Sequence, residues 1–169
     1  MTKARVSIIM GSTSDLPVME EAAIILNEFE VPFEMNALSA HRTPAEVETF
    51  ASSARGNGLE VIIAGAGMAA HLPGVIAAQT EIPVIGVPIK ASLNGWDAML
   101  SILQMPPGIP VATVGINAAR NAGLLAIQML ALHDPALMEK FARFKEKLKE
   151  KVVQANRDLS EVKYPFKTN

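Results

Sequence analysis

Five short apolar runs alternate with five helix-patterned stretches along this chain, and few folds accept that order. The first run, Val6-Ser7-Ile8-Ile9-Met10, is closed by Gly11. Val31 to Ala37, Val61-Ile62-Ile63-Ala64, Pro83 to Val87 and Ile109 to Val114 follow it. Runs this short and this rich in Val and Ile read as strands buried on both faces, as in a parallel sheet covered by helices. Between them lie the helical patterns. About Pro17 to Phe29 places Val18, Ala22, Ile25, Leu26 and Phe29 on one face. Pro44 to about Arg55 stops at Gly56-Asn57-Gly58. A short helix is expected near Leu72 to Gln79, another from Asn94-Gly95-Trp96-Asp97 to about Gln104, and a long apolar one over Ala118 to Leu132. This order predicts an α/β fold, a doubly wound parallel sheet of about five strands in three layers.

The spacing also makes local expectations. Thr43-Pro44-Ala45-Glu46 reads as a helix start, with Thr43 as N-cap, Pro44 at the first helical position and Glu46 completing a capping box. Loss of such a cap typically costs about 1 kcal/mol. From Pro135 to about Asn156 the chain turns rich in Lys and Glu and predicts an extended C-terminal helix. Leu137, Phe141, Phe144, Leu148 and Val152 recur along it at three or four residues. That stripe must cover something, either its own domain or a neighbouring subunit. With no repeat, linker or low-complexity tract, residues 1–169 are expected to form a single domain.

Composition narrows the function. Half of the 169 residues are hydrophobic and 19% are charged, which excludes a polyelectrolyte or disordered chain. A mean hydropathy of +0.26 is high for a lone soluble domain and points to burial against other subunits. No apolar run approaches the roughly 20 residues of a membrane helix. Met1 to Arg5 leads directly into the first strand, so no secretory signal is expected and the protein reads as cytoplasmic. The absence of cysteine removes disulfides, thiolate nucleophiles and Cys-ligated metals. A net charge of −2 provides no global attraction to nucleic acid.

In a doubly wound sheet, ligands bind beyond the carboxyl ends of the strands, and three loops belong there. Gly11-Ser12-Thr13-Ser14-Asp15 sets hydroxyls and backbone N–H groups ahead of a helix, a phosphate-binding arrangement in which Asp15 could accept from ribose. It is not a Walker loop, because the Lys is missing. An ordinary helix cap would also account for it. Ser39-Ala40-His41-Arg42-Thr43-Pro44 places an imidazole, which can give and take a proton near neutrality, beside a forked guanidinium. The third loop is Gly65-Ala66-Gly67-Met68-Ala69-Ala70-His71-Leu72-Pro73-Gly74. It fits G-x-G-x-x-A, yet it follows the third strand, and the nearest acidic candidate, Glu81, precedes the fourth. A nicotinamide site is therefore not expected, and close backbone approach to a flat ligand is the better reading. His133, at a helix end, reads as structural. The three histidines lack metal-ligand spacing, so no metal is expected.

Together these loops resemble the 5-(carboxyamino)imidazole ribonucleotide mutase family of bacterial purine biosynthesis. Gln104-Met105-Pro106 and Asn121-Ala122-Gly123-Leu124-Leu125-Ala126 add to the likeness, which covers nearly the whole chain. The resemblance implies a flavodoxin-like sheet and an isomerase that moves a carboxylate from an exocyclic nitrogen to the adjacent ring carbon. It implies His41 as the acid/base. It further implies Ser12, Ser14 and Arg42 on the phosphate and Asp15 on the ribose, with Ser39, Gly67, His71 and Leu72 also at the substrate. No cofactor is implied, the partner is a small ribonucleotide, and the assembly is a homo-oligomer, typically an octamer. Animal-type relatives carboxylate the aminoimidazole ribonucleotide directly and carry Lys in place of Arg42. Arg42-Thr43 and Ala69-Ala70-His71-Leu72 align the chain with the mutase branch. Direct carboxylation and a non-catalytic nucleotide-binding module are the alternatives. Met68 stands where the family usually has glycine, and a negative φ there would let its backbone follow the family path.

Overall fold

The computed structural model describes residues 3–169. Met1 and Thr2, on which the expected direct entry into the first strand partly rests, lie outside the described residues. The chain divides into two compact units, one running up to Leu130 and one from Ala131 to Asn169.

The first unit is a five-stranded sheet, parallel throughout, in the order β2-β1-β3-β4-β5. Its strands are β1 (Val6–Met10), β2 (Phe33–Ala37), β3 (Val61–Gly67), β4 (Val84–Ile89) and β5 (Ala112–Thr113). The helices are α1 (Leu16–Glu28), α2 (Pro44–Ser53), α3 (Leu72–Ala77), α4 (Trp96–Leu103) and α5 (Ala119–Ala131). This is the doubly wound sheet the alternation predicts. β1 and β4 are buried along their whole length, as the unbroken Val/Ile runs require. Successive strand residues point to opposite faces. On one face Ile9, Ile62 and Ala64 pack with Val47 of α2, Ile76 of α3 and Ile102 of α4. The other face receives α1: a Cβ built on Gly65 would meet the Met19 sulfur at 2.3 Å. On that side α5 closes on α1, where Gly123 faces Ile25 and the Ala22 backbone. Fully buried Ile8, Ile9, Ile62, Ile63 and Ile85 contribute roughly 1.5–3 kcal/mol each, so the loops above rise from a rigid floor.

Two strands depart from expectation. β3 continues through Gly65-Ala66-Gly67, read from sequence as a turn, because β4 pairs with it residue for residue up to Gly67↔Ile89. Its glycines are there for close packing, against Met19 at Gly65 and the Ile89 carbonyl at Gly67. β5 shrinks to two residues: Pro110 has no N–H to donate, which suits only an edge position.

The second unit is dominated by α6, Pro135–Glu161, longer at its C-terminal end than the periodicity predicts. Asp134 caps it, its carboxylate accepting from Leu137 N–H at 3.1 Å, and Pro135 occupies the first turn. Leu137 and Phe141 are buried, while Leu148 and Val152 of the same stripe stay exposed. Among the described residues no helix is long and apolar enough to cross a membrane.

Candidate active site

The loops that follow β1, β2 and β3 converge on one cleft of about 540 Å³, a usual size for a small-molecule site. It opens at the point where the strand order reverses, between β1 and β3. Every residue singled out from sequence lines it: Ser12, Ser14 and Asp15 from the first loop, Ser39, His41 and Arg42 from the second, Gly67, His71 and Leu72 from the third. Gly11, Ala40, Ala66, Met68 and Ala69 of the same three loops also line it, as does Ala91, which lies outside them and was not predicted. Ala91 follows β4, and the same strand-end rule, applied once more, would have found it.

The second loop is the most tightly built. Thr43 stands at the N-cap of α2 with Pro44 behind it, but its side chain caps nothing. Its hydroxyl instead accepts from Ser39 N–H at 2.9 Å and donates to the Ser39 carbonyl at 3.1 Å, and Thr43 N–H reaches the same carbonyl at 2.8 Å. The expected capping box is thus replaced by a clamp that closes the turn carrying His41 and Arg42. At its base Ser39 Oγ accepts from the Arg42 backbone N–H at 3.2 Å and from Arg42 Nε at 3.3 Å. Arg42 Nη2 donates to the Gly11 carbonyl at 2.7 Å, tying the second loop to the first. Among the described residues no carboxylate forms an ion pair with Arg42. Its remaining N–H groups are open to an anion.

In the first loop Ser12 Oγ accepts from Ser14 N–H at 3.3 Å, opening a short 3-10 turn over Thr13–Asp15 that leads into α1. The Ser12 hydroxyl proton stays available. Burial pushes the Asp15 carboxyl up from its ordinary range, outweighing the Ser14 hydrogen bond, the Ser12 backbone bond and the charge of Arg42. A hydrogen-bond donor on a molecule in the cleft would favour its charged form.

The third loop brings two findings. His41 and His71 meet ring to ring, Nε2 to Nδ1 at 2.8 Å, with the rings nearly perpendicular at 77°. Met68 has a φ of +56°, in the left-handed region, and its side chain is 61% exposed. The negative φ that would spare a bulky residue is not adopted. Met68 keeps a glycine-type backbone at a cost of about 1–2 kcal/mol, while Ala70 N–H and His71 N–H turn back to the Met68 and Ala69 carbonyls at 2.9 and 2.8 Å. His133 is exposed just beyond the end of α5 and stands outside the cleft. Among the described residues no three His, Asp or Glu side chains gather as a metal site.

Fold and cleft together define an open α/β enzyme with its site at the switch point, where an imidazole pair and a guanidinium line one cleft. Residues 5–151 match the family described as AIR carboxylase, and the chain belongs to that family. It is 61% identical over 146 residues to the N5-carboxyaminoimidazole ribonucleotide mutase of Pyrococcus abyssi, covering 86% of this chain and 84% of that one. It is also 53% identical over 163 residues to the phosphoribosylaminoimidazole carboxylase of Candida glabrata, covering 96% of this chain but 29% of that longer one. Among solved structures, Treponema denticola PurE superposes with a TM-score of 0.84 at 28% identity, covering 91% of this chain and 97% of that one.

Proposed function

We propose that the protein is an isomerase of de novo purine biosynthesis, converting 5-(carboxyamino)imidazole ribonucleotide to 4-carboxy-5-aminoimidazole ribonucleotide. The observation that carries this reading is His41, held with Arg42 on one clamped turn in a cleft that the serine loop also lines. In this assignment Ser12, Ser14 and Arg42 take the phosphate and Asp15 accepts from the ribose hydroxyls. Ser39 orients Arg42, and Gly67, His71 and Leu72 border the imidazole ring.

The reaction needs one proton donor that later becomes a base. Protonated His41 delivers its proton to the exocyclic nitrogen as the C–N bond breaks, its electron pair passing to nitrogen and carbon dioxide departing. The electron-rich ring carbon then attacks the trapped carbon dioxide. His41, now neutral, removes the proton from that carbon, and the C–H pair returns to the ring. The proton count closes with His41 as it began, and an imidazole suits both roles. The cleft must hold the gas between the two halves.

Ultraviolet absorbance of product formation, with each substrate and no ATP, tests the assignment. Turnover of the carboxyamino ribonucleotide is expected. A second reading, direct carboxylation, draws on the fungal relatives' name, and conversion only of the aminoimidazole ribonucleotide with bicarbonate would establish it instead. His41→Asn is expected to abolish turnover while ligand affinity stays within about tenfold; retained turnover would move the proton chemistry elsewhere.

The same reading includes a cytoplasmic homo-oligomer, an octamer by family habit, with α6 packing on a neighbouring subunit. Exposed Trp96, Leu100 and Leu103 on α4, and Leu148 and Val152 on α6, support an assembly. Light scattering should give several times the 18.0 kDa chain mass; a monomer would refute it.

A further inference from the structure

His41 and His71 are 30 residues apart in sequence and 2.8 Å apart in the cleft. At that separation one hydrogen must lie between the two nitrogens, because two lone pairs or two N–H groups would repel. One ring donates and the other accepts, and the geometry alone allows either polarity. The chemistry assigned to His41 decides between them. His41 has to start the cycle with a proton on a nitrogen that faces the cleft, and Nε2 is the atom turned inward to meet His71.

We propose that His71 is a positioning residue: its Nδ1 accepts the Nε2–H of His41 and so holds the transferable proton on the nitrogen that faces the cleft. This rests on the isomerase reading above. His71 is equipped for the task, since its backbone is fixed on both sides. Its N–H donates to the Ala69 carbonyl at 2.8 Å, and its carbonyl accepts from Val75 N–H at 2.9 Å. Leu72 and Pro73, directly behind it, are buried. His71 therefore presents Nδ1 from a rigid seat, while its own hydrogen resides on Nε2. Both rings are exposed to the cleft, so a substrate can reach the shared hydrogen.

The pairing acts on both halves of the cycle. When the Nε2–H bond of His41 breaks and the proton passes to the exocyclic nitrogen, the Nε2 lone pair is left facing the Nδ1 lone pair of His71. That contact is unfavourable and is relieved when Nε2 takes the proton from the newly carboxylated ring carbon. His71 thus keeps the proton on Nε2 ahead of the first step and favours its return to Nε2 in the second, without carrying a proton itself.

Two substitutions separate positioning from proton carriage and from plain binding. Asparagine places its amide oxygen near the position of Nδ1, keeping an acceptor that cannot titrate, whereas phenylalanine keeps a ring without one. His71→Asn is expected to retain kcat within about tenfold, while His71→Phe loses about 10²-fold or more in kcat with KM changed less than about threefold. Equal loss in both variants would mean that His71 carries the proton, and a rise in KM at unchanged kcat would mean that it only binds substrate; either overturns the proposal. A readout independent of activity comes from imidazole ¹⁵N spectra, simplified by there being three histidines in the chain. In the ligand-free wild type the bridging hydrogen should be bonded to His41 Nε2, persist in His71→Asn and vanish in His71→Phe. A hydrogen bonded to His71 Nδ1 would refute the proposal even if the wild type turns over the expected substrate. An inactive wild type with the expected spectra would instead sink the isomerase reading.

Discussion

Replacing Thr43 by valine removes one hydroxyl and shows what that hydroxyl holds in place. Two hydrogen bonds disappear, from Ser39 N–H and to the Ser39 carbonyl. The carbonyl keeps Thr43 N–H at 2.8 Å, so the larger cost falls on the Ser39 N–H, which loses its acceptor in a part-buried turn. Two bonds at about 0.5–1.5 kcal/mol each give a loss near 2 kcal/mol. In a chain of this length that is roughly 4–8 °C in Tm. Turnover should fall as well, because His41 and Arg42 lose their fixed directions. Thr43→Ser, which keeps the hydroxyl, should stay close to wild type in both.

Thr43→Asp makes the decisive comparison. Aspartate is among the best N-cap residues, so if the hydroxyl served mainly to cap α2, this variant would match or exceed wild type. As a clamp it fails, since a carboxylate can accept from Ser39 N–H but cannot donate to the Ser39 carbonyl and sets negative charge against it. Thermal unfolding at fixed protein concentration, needed because assembly shifts Tm, should place Asp with Val, below wild type. A Tm for Thr43→Asp at or above wild type would refute the clamp.

Three further outcomes follow from the same coordinates. Met68→Gly removes about 1–2 kcal/mol of left-handed strain and gives back roughly 0.5–1 kcal/mol in chain entropy; Tm should rise by a few degrees, and a fall would mean that residue 68 is unstrained. Asp15→Asn should be more stable than wild type at pH 7, as read by urea unfolding. The Asp15 carboxyl is raised by burial, so its charged form costs stability above its folded-state value. That cost fades as pH falls toward and below the ordinary carboxylate range, so the advantage of Asn should shrink on acidification; a constant difference would contradict it. Gly65→Ala drives a Cβ to 2.3 Å from the buried Met19 sulfur and should lose about 1–3 kcal/mol. Combining it with Met19→Ala should cost less than the two separate losses together.

The cleft was legible because strand-end loops in this fold carry ligands whatever the chemistry, and hydroxyls, His41, Arg42 and small residues stood in three such loops. What sequence left hidden was how side chains spend their hydrogen bonds. Thr43 fits the N-cap pattern, and nothing local reveals that Ser39, four residues back, claims its hydroxyl. Gly65 to Gly67 reads as a turn, because the pairing that makes it strand comes from β4, some twenty residues on. Met68 carries no sign of its φ, which the turn at Ala69 and Ala70 imposes.

The contact between His41 and His71 was equally hidden, yet the topology accounts for it. β2 and β3 are not neighbours; β1 lies between them. A loop from each would be separated by a full strand if their helices left on opposite faces. Instead α2 and α3 pack on the same face, sharing the core of Val47 and Ile76 with Ile9 beneath, while α1 descends on the other side beside Gly65. The serine loop after β1 therefore peels away to one face as the two histidine loops lean to the other and close over the gap it leaves. The loop after β1 brings hydroxyls to the resulting crevice, and the loop after β2 brings His41, paired with His71, and Arg42, tethered to Gly11. One turn after β2 thus supplies both the imidazole and the guanidinium, and the Arg42 bond to Gly11 ties that turn to the serine loop after β1.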